Sequence, residues 1–356
     1  MKLEDIFCCP NCCGELNPTH KGFQCGACLS QYDNREGIPS FIPEGLRTDY
    51  SLIPHHHELN QRALEIGWKD AVIGHIDKYI KDSKKIQYAN EYIISEARGD
   101  FQFLLPLSKE SIILEIGSGW GNITSSLARV SKHVFAVDTN LDNLHFVKLR
   151  ADQEGLNNIT VIQGDACTLP VKGSCIDGVI MVGVLEWVAW GRNDKSPQYL
   201  QRETLNIVNK ALKPKGCLYL AIENRFDFKY FLGVKEPHTN LRFISILPYH
   251  IANLYSRLIR KKEFREVTYS QLELRKLLKS VGFNDLDFFY PIPNYQNFRY
   301  LSRLENRVTF LFLIKMLASF PKFSPLYYLA GSLFSFLPKS IIHFFWPNFC
   351  VIASKP

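Results

Sequence analysis

The stretch IILEIGSGWG, residues 112–121, sets the fold of this chain. Ile112, Ile113, Leu114 and Ile116 make the short apolar run of a strand covered on both faces, and residues 122–131 follow with Ile123, Leu127 and Val130 at helical spacing. Between them, Gly117, Gly119 and Gly121 allow a tight turn and a close approach of backbone to a ligand, where a Cβ would collide. Two further strands end in acids. VFAVD, residues 134–138, closes on Asp138, 17 residues past Gly121, and ITVIQGDA, residues 159–166, carries Asp165. A strand, a glycine turn, a helix and then acids at successive strand ends are the pattern of a fold that holds a nucleoside cofactor. Each Asp alone reads equally well as a turn or helix cap. A GxGxxG dehydrogenase fingerprint would need a further glycine where Asn122 stands.

Glu115-x-Gly117-x-Gly119-x-Gly121, then Asp138, then Gly164-Asp165-Ala166, then GVIMVGVL at 178–185, together resemble the successive cofactor-contacting motifs of class I S-adenosylmethionine-dependent methyltransferases. The likeness spans about residues 112–224, and the acid two residues before the glycines belongs to it. The resemblance implies a Rossmann-like α/β sheet of about seven strands with the last antiparallel. It implies S-adenosyl-L-methionine as cofactor, touched by Glu115, Gly117, Ser118, Gly119, Gly121, Asp138, Thr139, Gly164, Asp165, Ala166, Val182 and Leu185. Within that set Asp138 falls on the ribose, Asp165 and Ala166 beside the adenine, and the glycine turn near the methionine part. This cofactor has no pyrophosphate, so the turn needs close backbone approach more than anion capture at a helix start.

Six of the ten cysteines lie in the first 28 residues. Cys9-x2-Cys12 and Cys25-x2-Cys28 are two knuckles separated by 12 residues, the spacing of a tetrahedral zinc site. A segment of about 40 residues has too small a core to fold without such a staple. A disulfide pair is the competing reading, which a reducing cytosol disfavours. Cys8 and Cys13 offer other registers, and His20 another ligand, but Gly14 and Gly26 sit where the turns of Cys9, Cys12, Cys25 and Cys28 need them. The same stretch, with Gly37-Ile38-Pro39-Ser40-Phe41 after Tyr32, resembles the Trm112-like zinc ribbons that occur alone or fused ahead of methyltransferases. Four cysteines would close the metal's shell, so its expected role is structural.

The expected organisation is a ribbon at 1–45, a helical linker or lid at 46–108, and a methyltransferase domain at 109–356 with inserts at about 225–267 and 300–347. The chain has 356 residues, 46% hydrophobic and 22% charged, values of a globular protein. Its start, MKLEDIFCCP, lacks a basic segment followed by an apolar one, so a cytoplasmic protein is expected. His55, His56 and His57 diverge on any regular backbone and are not expected to share a metal. Residues 225–265 hold nine Lys or Arg against three acids, and 299–356 hold seven against one, so these additions carry more than the whole net excess of +7. Residues 308–347 contain eleven aromatic residues and no acid, but lysines and prolines break them below the roughly 20 residues of a spanning helix. Short aromatic helices there read as a hydrophobic helical insertion. It either lies on an anionic membrane face or packs on the sheet or a partner.

Two residues are candidates for catalysis. Glu186 follows the fourth strand at the end where open α/β sheets bind ligands, and His238 stands in a Pro-His-Thr turn of the insert, with a pKa suited to a general base. Glu223 and Asn224 reach the same rim. Residues 223–240 also resemble a subgroup of methyltransferases associated with bacterial polysaccharide and lipid-linked glycan assembly. The expected reaction is O-methylation of a glycan or lipid-linked saccharide at the inner membrane surface. An RNA methyltransferase guided by the ribbon, and a non-catalytic cofactor-binding module, remain as alternatives. The first lacks both an NPPY-like tetrapeptide and a catalytic cysteine pair.

Overall fold

Runs of Val, Ile and Leu bounded by glycine, asparagine and proline build a central sheet in which most residues of the parallel strands are buried. The computed structural model describes residues 1–43, 45–46, 55–80, 83–318 and 335–356. Four short strands come first: β1 (Leu16–Thr19), β2 (Gly22–Cys25), β3 (Gln31–Arg35) and β4 (Ile38–Pro39), paired antiparallel in sequence order. The large sheet contains β5 (Ile112–Ile116), β6 (His133–Asp138), β7 (Ile159–Gln163), β8 (Ile176–Val182), β9 (Leu212–Glu223), β10 (Asp285–Ile292), β11 (Tyr300–Ser302) and β12 (Asn348–Ser354). Its order is β11-β10-β12-β9-β8-β5-β6-β7.

Strands β5 to β9 are mutually parallel, while β12 lies antiparallel between β9 and β10. The expected Rossmann-like architecture is therefore present, with the short edge strand β11 taking the sheet from seven strands to eight. The fourth parallel strand ends at Val182. The chain expected to run on to Leu185 as strand instead turns at Gly183 (φ +67°) into a short 3-10 helix, Leu185–Trp187.

Helices start where side chains cap them. Asn140 accepts from the Asn143 amide ahead of Leu141–Gln153, Ser196 from Tyr199 ahead of Pro197–Ala211, and Ser270 and Glu273 form a reciprocal capping box ahead of Gln271–Ser280. Before β5, helices His56–Ile66, Trp68–Tyr79 and Ser83–Ile94 pack over the glycine turn. Trp120 of that turn is buried between Phe146 and His56, with ring centroids 5.2 and 4.2 Å away. Arg150, fully buried, donates to the Ile93 carbonyl and pairs with Glu154, which locks this cover to the domain. The three consecutive histidines point apart: His55 faces Glu58, His57 faces Asp142, and His56 stacks on Trp120.

The N-terminal sheet sits against the β7 edge. Phe41 N donates to Gln163 O, Cys8 N to Pro170 O and Lys172 N to Ile6 O, all at 2.8 Å. Phe7 is fully buried between Phe41 and Phe135, and its apolar neighbours run without a break into the core under the sheet. These contacts pair a sheet edge that would otherwise be open.

In the insert at 225–267, Arg225 gathers the chain by donating to Ser245 O, Leu247 O and Glu273. Of the aromatic C-terminal segment, residues 319–334 lie outside the described residues. In the flanking helices Arg307–Ala318 and Lys339–Phe345, Phe310, Leu313 and Ile342 are buried in the main core, while Val308, Phe312 and Ile341 are exposed. Among the described residues no helix is long and apolar enough to cross a membrane.

Because the N-terminal sheet shares a core with the large one, replacing Phe7 by Ala should cost about 3–5 kcal/mol. The expected outcome is a lower denaturant midpoint for the whole chain. A variant that loses only the N-terminal sheet, with the rest unfolding as before, would contradict a shared core.

Candidate functional site

The carboxyl ends of the parallel strands open into a cleft of about 800 Å³. On one side the glycine turn folds back on β6: Gly117 N and Ser118 N both donate to Val137 O, at 2.7 and 3.0 Å, and Gly119 N donates to Asp138 Oδ2 at 2.9 Å. Gly117 has φ +78°, and a Cβ there would stand 2.4 Å from Val184 Cγ2, so no other residue fits. A Cβ on Gly119 would meet nothing within 4 Å, because that residue faces the cleft. Asp138 also accepts from Asn140 N, and Asp165 accepts from Cys167 N and pairs with Arg192. Burial pushes both carboxyls up from the usual carboxylate range, against these donors.

The opposite wall carries a second cluster. Glu186 is 1% exposed and neither of its carboxylate oxygens has a partner. Burial, and then the charge of Glu223, pushes its carboxyl well up. Glu223, at the end of β9, accepts from Tyr295 Oη at 2.7 Å. His238 comes from the insert, with Nδ1 2.5 Å from Glu236 Oε1 and Nε2 3.9 Å from Glu223 Oε1. Burial alone would lower the imidazole, but the bond to Glu236 and the charges of Glu223, Glu236 and Glu186 outweigh it and raise His238 to about 9. The ring is thus charged near neutral pH when only these acids face it, whereas a base acting through Nε2 needs that nitrogen unprotonated.

Residues 114–220 match the family described as "Methyltransferase domain". The ubiquinone biosynthesis O-methyltransferase of Rickettsia prowazekii (strain Madrid E) is 26% identical over 222 residues, covering 62% of this chain and 80% of that protein. Its namesake in Bartonella tribocorum is 30% identical over 141 residues, covering 40% and 52%. Among solved structures, phosphoethanolamine N-methyltransferase 2 of Haemonchus contortus, with S-adenosylhomocysteine bound, superposes with a TM-score of 0.44 at 16% identity, covering 79% of this chain and 59% of that one. The chain is an S-adenosylmethionine-dependent methyltransferase.

In this methyltransferase Gly117, Gly119, Asp138, Thr139, Gly164, Asp165, Ala166, Val182 and His238 line the cleft together, with Trp187 and Trp190 beside them. Four expected cofactor contacts lie elsewhere. Glu115 is buried under the turn, where Thr124 donates to it and burial raises it to about 8; Ser118 is buried; Gly121 caps the helix against Val147; and Leu185 points into the core from its 3-10 turn. Glu186 lies just behind the wall. The residues that sequence reasoning missed are Tyr92 and Arg98 from the helical cover and Tyr295 from beyond β10, all lining the cleft, together with Arg192 on Asp165. Tyr295 had one trace in the sequence: Gly183, where a Cβ would stand 2.8 Å from its hydroxyl.

Far from the cleft, Cys9, Cys12, Cys25 and Cys28 bring their sulfurs within 4.8 Å of one another, with Cys9–Cys28 at 3.5 Å and Cys12–Cys25 at 3.4 Å. Cys8 and Cys13 do not join this group. The N-terminal sheet reaches the cleft through a relay: Ser40 Oγ donates to Gln163 Oε1, and Gln163 Nε2 donates to the carbonyl of Thr139, next to Asp138.

Replacing Asp138 by Ala removes charge-assisted bonds of about 1.5–3 kcal/mol, so S-adenosylmethionine should bind on the order of 10- to 100-fold more weakly by calorimetry. Unchanged affinity would refute the ribose assignment.

Proposed function

We propose that this methyltransferase O-methylates a glycan or lipid-linked saccharide at an anionic membrane face. One observation carries the proposal: residues 225–267 supply the cleft with His238 and also present an apolar helix to solvent. In Tyr249–Arg260, Ala252 and Ser256 are buried, while Ile251, Leu254, Leu258 and Ile259 are more than half exposed. Lys261 and Lys262 follow, both exposed. An apolar face bordered by lysines is how a helix lies in a headgroup layer. The O-methyltransferase relatives support an oxygen acceptor.

The bound cofactor supplies an activated methyl group on a sulfonium. Asp138 would hold its ribose and the glycine turn its amino-acid part, and Trp187, Trp190 and Tyr92 would exclude water. Glu223, His238 and Tyr295 offer the polar contacts that orient an acceptor hydroxyl, and most of the rate would come from that alignment. The test is transfer of labelled methyl from S-adenosylmethionine into fractionated cell extract, with label expected in the lipid-linked saccharide fraction; nuclease-sensitive label would overturn the proposal. Leu254→Glu with Leu258→Glu should abolish co-flotation with vesicles containing anionic lipid and leave cofactor affinity intact. Flotation as strong as in the native protein would remove the membrane from the account.

Cys9, Cys12, Cys25 and Cys28 fit a structural Zn²⁺, as a Trm112-like ribbon would hold it. Zn–S bonds of about 2.3 Å give a tetrahedron edge of about 3.8 Å, close to the observed sulfur separations. Elemental analysis should find one zinc per chain, lost in Cys25→Ser. Through Gln163 and Thr139, that loss should also weaken cofactor binding. Zinc-free protein with a folded N-terminal sheet would rule the metal out.

A further inference from the structure

Glu186, Glu223 and His238 present one ligand atom each within 4.8 Å of one another, and we infer that they hold a divalent cation of the Mg²⁺ or Mn²⁺ class that binds the methyl acceptor. The acceptor part of this inference rests on reading the cleft as an O-methyltransferase site. The cation part stands on the cluster itself.

Three features of the cluster distinguish it from a chance gathering of acids. First, Glu186 is almost wholly buried with both oxygens unpartnered, and Glu223 Oε2 is buried and unpartnered as well, although Tyr295 satisfies Oε1. Carboxylate oxygens kept from water without a donor are costly unless a proton or a cation meets them. Second, the imidazole is oriented as a ligand is. Its Nδ1 is engaged by Glu236, whose other oxygen accepts from Thr239 N and Oγ1 at 2.6 and 2.7 Å, so Nε2 is the nitrogen turned toward Glu223. A carboxylate behind a histidine is the usual support of a metal-bound imidazole. Third, Glu223 and His238 line the same cleft as Gly119 and Asp138, so a cation there would face the space in which the methyl is transferred.

Two carboxylates and one imidazole favour a hard, oxygen-preferring ion over the soft ion suited to the four cysteines. Three protein donors leave a six-coordinate cation with open positions. The acceptor class that fits is one with two adjacent oxygens, such as a vicinal diol.

The test is titration of the full-length, zinc-loaded protein with Mn²⁺, following free Mn²⁺ by electron paramagnetic resonance, with Mg²⁺ as competitor. One saturable site per chain is expected. Glu186→Gln should weaken it more than tenfold, and Glu236→Gln, acting through His238, by about 10- to 100-fold. Mn²⁺ should raise the melting temperature of the native chain but not that of Glu186→Gln, which remains assessable because the amide matches in size a buried carboxyl that burial already holds toward its neutral form. No saturable Mn²⁺ site, or equal binding by the native and Glu186→Gln proteins, would overturn the inference. A site found without label in lipid-linked saccharide would sink the acceptor and keep the cation; label without a site would do the reverse.

Discussion

Negative charge gathered at one end of the sheet is the constraint on which the rest of the structure depends. The parallel strands and the turns after them bring Asp138, Asp165, Glu186 and Glu223 to one rim, with Glu115 buried beneath it. Burial pushes Glu115, Asp138, Asp165 and Glu186 up from the usual carboxylate range. A fold that kept these groups only for stability would replace most of them with apolar residues, because a buried charge repays its desolvation only with very good partners. Their retention makes sense as a set of positions for ligands, and the surrounding elements are arranged to make that set tolerable.

Those elements come from every part of the chain. The helical cover brings Arg98 toward Asn122 and the ends of the glycine turn. The N-terminal segment sends Ser40 to Gln163 and so braces the loop after Asp138. The insert gives His238, and the segment after β10 gives Tyr295. The additions that make this chain longer than a bare methyltransferase domain are therefore tied to its cleft, and the cysteine cluster can influence the cofactor half without lying near it.

The sheet was legible because the parallel strands are covered on both faces and read as mostly apolar runs, and because acids stand at or just after the ends of several of them. The cysteine group was legible from spacing alone, since two knuckles fix which four sulfurs converge. The partners of the acids were not. Arg192 meets Asp165 across 27 residues and Tyr295 meets Glu223 across 72, and neither has a local pattern that marks it. Glu236 is only two residues from His238, yet in a charged loop it reads as a solvated side chain until the fold buries it. Leu185 failed for a different reason: Gly183 ends the strand early, and the 3-10 turn rotates the side chain that a longer strand would have aimed at the rim. The aromatic tail left two fates open by composition, and in its described part Phe310, Leu313 and Ile342 find the core.

The two walls of the cleft differ in how completely their acids are satisfied, and that difference divides the labour. Asp138 and Asp165 are held by backbone amides, Asn143 and Arg192, so they are fixed before any ligand arrives and suit a cofactor whose shape never changes. Among the described residues Glu186 and one oxygen of Glu223 have no such donors, and His238 beside them is shared among three glutamates. A wall left short of positive charge is completed by what enters it. Burial and the charge of Glu223 push the Glu186 carboxyl well up, so a proton meets part of that shortfall on this wall, whereas the cofactor wall is met by fixed donors.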